Sequence, residues 1–162
     1  MERLKCVIVG DGGVGKSSVI FAYTTHSPDT HALPTVHLHT LELFDTVCDD
    51  GHYDRLRPLS YASTDVFLVC FKITSLTSFS NVKQNWLPEL KHFSPLVPWI
   101  LVGLQVDLLR GDSESRNGVN KAQGTKLAEE LGAVKRAELF EQVSRVMGKT
   151  GTVRGRKKCV VG

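Results

Sequence analysis

Apolar residues fall into two kinds of segment that alternate along the chain. Leu4-Lys5-Cys6-Val7-Ile8-Val9, residues 41–45, Val66-Phe67-Leu68-Val69-Cys70-Phe71 and Trp99-Ile100-Leu101-Val102-Gly103 are short runs rich in β-branched and aromatic residues, and they predict strands. The last two are apolar at almost every position, as expected of strands covered on both faces. Between the runs, apolar residues recur at spacings of three and four. Phe79, Val82, Trp86 and Leu90 predict a helix over 77–92, in which Pro88 would cause a kink or an early end. Further helices are predicted over 120–131, with Asn120 as cap and Gly132 as stop, and over 136–147, carrying Leu139, Phe140, Val143 and Met147. Strands alternating with helices indicate an α/β fold: a mostly parallel sheet flanked by helices, with ligands at the carboxyl ends of the strands. Residues 110–119 read as a polar loop.

Composition narrows this picture. At 162 residues and 41% apolar, the chain is one domain's length. No stretch of about 18 apolar residues predicts a membrane span, and the apolar run at 6–10 is too short for a secretory leader. The net charge of +3 is unevenly placed. Lys149, Arg154, Arg156, Lys157 and Lys158 fall in residues 149–162 with no acid, so residues 1–148 keep 15 basic against 17 acidic residues, a net of −2. The reading is therefore a domain over 1–148 and a basic tail over 149–162. Such a tail suits an acidic surface, phospholipid or nucleic acid. The domain lacks interleaved aromatic and basic residues, which favours an anionic membrane and no nucleic acid. The four cysteines, Cys6, Cys48, Cys70 and Cys159, have no metal-type spacing and fit a reducing, cytoplasmic setting. His26, His31, His37 and His39 read as solvated loop residues rather than a metal site, because no Cys or acidic ligand is set at matching spacing.

One motif carries chemistry. Gly10-Asp11-Gly12-Gly13-Val14-Gly15-Lys16-Ser17 has the G-x-x-x-x-G-K-[ST] spacing of a phosphate-binding loop, between a predicted strand and a predicted helix. Its glycines let successive N–H groups curl around an anion, and the helix start adds its positive dipole end. Lys16 would place a charge on the outer phosphates, and the Ser17 hydroxyl would ligate Mg²⁺. The bland alternative is a glycine turn joining a buried strand to a helix.

Around this motif the chain resembles Rho/Rac-type small GTPases of the Ras superfamily over almost its whole length. Lys5-Cys6-Val7-Ile8-Val9-Gly10-Asp11-Gly12 and Tyr23-Thr24-Thr25 resemble the family's opening, and Leu33-Pro34-Thr35-Val36 its first switch. Asp45-Thr46 resembles the start of the second switch, and Tyr53-Asp54-Arg55-Leu56-Arg57-Pro58-Leu59-Ser60-Tyr61 its Rho-specific continuation. Val102-Gly103-Leu104-Gln105-Val106-Asp107-Leu108 resembles the guanine-recognition segment, and Cys159-Val160-Val161-Gly162 a prenylation box. The resemblance implies a three-layer P-loop NTPase fold and a signalling switch that binds GTP or GDP with Mg²⁺. It implies that Gly12, Gly13, Val14, Gly15, Lys16, Ser17 and Ser18 hold the phosphates. Ser17 and Thr35 ligate Mg²⁺, Asp45 reaches it through water, and Thr35 senses the γ-phosphate. Gln105 and Asp107 serve the base. Guanine-nucleotide exchange factors and the Rho dissociation inhibitor would bind Tyr53–Tyr61. A prenyl group on Cys159, with the basic tail, would anchor the protein to the inner face of the plasma membrane or an endomembrane. Gly162 is outside the usual set for the last position of that box.

The chain also departs from the family. Nine residues separate Thr35 from Asp45, whereas two strands and a tight turn need about 12–14. One of the two interswitch strands is therefore missing. Ala133-Val134-Lys135 leads almost directly into the last helix, so the final strand and its guanine-backing loop are missing too. Four parallel strands remain, in the expected order 41–45, 4–9, 66–71, 99–103. Pro28 replaces the aromatic that stacks on guanine, Ala32 a phosphate-covering tyrosine, and Leu104 a polar residue of the base motif. In Asp45-Thr46-Val47-Cys48-Asp49, Asp49 (or Asp50, by register) stands where the family has the catalytic glutamine. Of the catalytic positions, Thr35 and Asp49 are thus left, and hydrolysis is expected to be weak. The effector pattern after Thr35 is also absent. A second reading is a non-catalytic decoy that binds Rho regulators through 53–61, and a third is a shortened chain that folds only marginally.

Overall fold

A computed structural model describes residues 3–25, 40–46, 55–110 and 118–133. Four strands, β1 (Arg3–Gly10), β2 (Thr40–Asp45), β3 (Val66–Lys72) and β4 (Trp99–Leu104), form one sheet in the order β2-β1-β3-β4. Every pairing is parallel, with Leu4 opposite Leu41, Val7 opposite Phe67 and Leu68 opposite Ile100. Strand order and direction are those expected from the sequence.

Strand alternation divides the core into two layers. Val7, Val9, Phe67, Val69, Phe71, Trp99 and Leu101 point to one face and pack with Val82, Trp86, Leu87 and Leu90 and with Leu127 and Ala128. Cys6, Ile8, Val66, Cys70, Ile100 and Val102 point to the other and pack with Val14 and Ile20. The second face is covered by α1 (Lys16–Thr25). The first is covered by α4 (Lys121–Leu131) and by a helical unit over residues 76–93. Both sheet faces are covered, which is why β3 reads as a continuous apolar run.

The unit over 76–93 differs from the plain kinked helix expected. It comprises α2 (Leu76–Asn81), a π turn (Val82–Trp86) and α3 (Leu87–Phe93). The Leu87 amide donates to the Val82 carbonyl, five residues back. Pro88 follows at once. A proline ring has no N–H and collides with the carbonyl four residues earlier in a regular helix, and a wider turn before it relieves both problems.

The ends of α4 match the sequence reading. The Asn120 side chain accepts from the Gln123 amide, and the Gln123 side chain accepts from the Asn120 amide, both at 2.8 Å, a reciprocal capping box. Gly132 is left-handed at φ +77°, and the Ala133 amide donates to Ala128 at 2.8 Å, closing the helix. The predicted helix over 136–147, most of the 110–119 loop and the 149–162 tail lie outside the described residues.

Candidate nucleotide-binding site

β1 runs out to Gly10 at the carboxyl edge of the sheet. From β1 the chain goes first to β2 on one side, then crosses to β3 on the other. The loop at 10–15 therefore leaves the sheet at its topological switch point, where such folds bind ligands. Val14 fixes the loop from beneath. Its side chain is buried among Ile8, Cys70, Ile100 and Val102, so only its backbone faces the site. The first helical bond of α1 runs from the Val19 amide to the Gly15 carbonyl at 3.1 Å. The amides of Lys16, Ser17 and Ser18 precede it and lie outside the helix ladder, at the positive end of the helix dipole.

Lys16 is only 7% exposed. Its ammonium donates to the carbonyls of Gly10 and Asp11, each at 2.8 Å, which stretches the side chain back over the loop. Ser17 and Ser18 are exposed at the mouth, as are Gly12 and Gly13. The Ser17 hydroxyl donates to the Asp45 carboxylate at the end of β2. Thr46, next in sequence, donates to the Ile8 carbonyl at 2.7 Å and fixes this strand end to β1. Two oxygen donors thus converge beside the buried lysine. A hydroxyl and a carboxylate form the hard oxygen set that Mg²⁺ takes when several waters and phosphate oxygens complete its shell, so these residues fit the ion.

The segment that follows β4 reaches the same edge. Gln105 follows β4 with φ +61°, and its side-chain amide donates to the Gly13 carbonyl at 2.8 Å. It therefore ties the segment after β4 to the glycine loop. Asp107 lies exposed on a short turn over Val106–Arg110. Leu104 is half-buried and packs against the second core layer. Thr35, Asp49 and Cys159 fall outside the described residues, as do Pro28 and Ala32.

Some contacts were not foreseen from the sequence. Both carboxylate oxygens of Asp11 are taken, one by the Trp86 indole N–H and one by the Asn81 side-chain amide, each at 2.7 Å. Helical periodicity marked Trp86 as core only. The usable signal was a carboxylate inside an anion-binding loop, which needs donors of its own.

A family model for the Ras family matches residues 5–141. The chain belongs to the Ras family. As a Ras-family domain it is a small GTP-binding switch.

Proposed function

We propose that this Ras-family chain is a Rho-like switch that holds Mg²⁺ with GDP or GTP and turns GTP over slowly. The observation that carries the nucleotide reading is the meeting of Ser17 and Asp45 at the mouth of the loop that buries Lys16. Bound Mg²⁺ would neutralise phosphate charge. The protein's own groups would position: loop amides on the β-phosphate, Lys16 on the outer oxygens, Asp107 on the base edge. The sequence supports slow turnover. Asp49, or Asp50, replaces a glutamine, and a carboxylate there repels the phosphate instead of orienting water.

The Rho-like part rests on residues 53–61, of which 55–61 are described. Leu56, which caps a short turn over Arg57–Tyr61, and Leu59 within that turn are 55% and 74% exposed. Exposed apolar side chains on an ordered turn suit a protein partner, of the exchange-factor or dissociation-inhibitor kind. A prenylated Cys159 with the basic tail would add attachment to the inner membrane face. The decisive experiment is a single-turnover assay on GTP-loaded protein. Hydrolysis well below that of an ordinary Rho protein measured alongside is expected; equal rates would overturn the slow-turnover reading.

One observation favours a second reading, a decoy that binds regulators without nucleotide. Lys5 on β1 donates to the carbonyls of Ser60 and Ala62 at 2.7 and 2.6 Å, so the 57–61 turn is held by the protein itself. The nucleotide content of purified protein separates the two readings.

A further inference from the structure

We propose that Asn81 and Trp86 are positioning residues of the phosphate loop, acting through Asp11, and that Arg57 links the partner-facing 55–61 segment to that loop through the Trp86 ring. The proposal rests on the reading that this loop binds phosphates.

The argument starts from charge. Asp11 puts a carboxylate in the backbone cradle meant for an anion, where an unrestrained negative group would oppose phosphate. Its setting prevents this. The Asp11 carbonyl accepts from Lys16 at 2.8 Å, while the carboxylate accepts from Trp86 and from Asn81 at 2.7 Å each. Three hydrogen bonds thus fix one loop residue, and they turn its charge toward the 76–93 unit and away from the cradle. Bonds to an ionised acceptor are about twice as strong as neutral ones.

The π turn is what allows both donors to reach. Asn81 and Trp86 are five positions apart. In a regular helix that spacing separates two side chains by about 140° around the axis. Bonding from residue i to i+5 instead brings them toward one face. Asn81 immediately precedes the π turn and Trp86 is its last residue.

Trp86 also has a second neighbour. The Arg57 guanidinium lies 4.6 Å from the centre of its ring. Arg57 is held in place by two bonds to Glu89, at 2.9 and 2.6 Å, and Glu89 also accepts from the Tyr61 hydroxyl. A partner that displaces Arg57 from the turn beside Leu56 and Leu59 shifts the ring whose N–H holds Asp11.

The test uses the full chain and two readouts. One is amide hydrogen exchange across residues 11–16, against exchange across β3 as an internal reference, without nucleotide. The other is Mg²⁺–GDP affinity by calorimetry. Asp11→Asn sets a donor against a donor, and Asn81→Asp sets a carboxylate against a carboxylate. Each is expected to speed loop exchange and weaken GDP about tenfold. The double swap re-pairs donor with acceptor and is expected to restore both readouts. Trp86→Phe keeps a ring under Arg57 but loses the N–H, and is expected to loosen the loop while β3 is unchanged. Arg57→Gln should speed loop exchange severalfold in the native background and add nothing in the Trp86→Phe background. Failure of the double swap to rescue, equal acceleration of loop and β3, or an Arg57→Gln effect that persists without the indole N–H would each overturn the proposal. If the native protein binds no GDP, the phosphate reading falls, and the exchange data still decide whether the loop is held in this way.

Discussion

A β-carbon on Gly10 would lie 2.2 Å from the Cys70 carbonyl oxygen, and Gly10 has φ +146°. Both facts come from the pairing of β1 with β3, where Gly10 sits opposite Cys70. Gly10→Ala is therefore expected to destabilise the fold by about 3 kcal/mol, adding backbone strain to a collision with main chain that has no room to move. Urea denaturation checks this, and a loss below about 1 kcal/mol would contradict it. Gly13 provides the contrast: its φ is +72°, yet a β-carbon there would meet nothing within 4 Å. The spacing of these glycines was legible in the sequence, because the phosphate-loop pattern is fixed. Which glycine bears a steric constraint was not, because the carbonyl that imposes it belongs to a strand 60 residues away. The setting of Asp11 was hidden for the same reason: its donors come from a helical unit distant in sequence. Thr35 and Asp49, inferred from resemblance, lie outside the described residues.

At the scale of elements, the parallel sheet could be read in full. Each strand is an apolar run with β-branched or aromatic residues, and two of them are covered on both faces. Asn120 and Gly132 likewise bounded α4 correctly, because capping depends on local residues alone. The π turn could not be read, since Val82, Trp86 and Leu90 recur at the spacing of an ordinary helix and Pro88 signalled only a disturbance. The unit over 76–93 is nonetheless anchored by a pair the periodicity does not show. Arg57 and Glu89 form a two-bond ion pair whose side chains are 9% and 19% exposed. Removing Glu89 takes away both of these bonds to a largely buried guanidinium. Glu89→Ala is expected to lose about 3 kcal/mol and to leave Tyr61 without its acceptor. A thermal midpoint within a degree or two of the native protein's would contradict this.

At the scale of the whole molecule, burial of the second core layer predicts a pH dependence. Burial pushes the Cys6 and Cys70 thiols from 9.0 up to about 12, and it raises the Tyr61 hydroxyl above its ordinary 10, helped by Glu89. The unfolded chain therefore gives up these protons first. Stability from the neutral thiols is complete below about pH 9 and is lost as pH rises from 9 toward 12, by up to about 1.4 kcal/mol per unit for each thiol. Denaturation between pH 8 and 10.5 at fixed salt should show the decline, and Cys6→Ala with Cys70→Ala should remove most of it. Flat stability through pH 10.5 would contradict the buried thiols. The central claim is that this Ras-family sheet, four-stranded among the described residues, presents a working phosphate cradle at its switch point. Calorimetry of the folded protein with Mg²⁺–GDP and Mg²⁺–GTP tests it most directly. One binding site is expected, abolished by Lys16→Ala with the fold retained; no heat with either nucleotide would contradict the account.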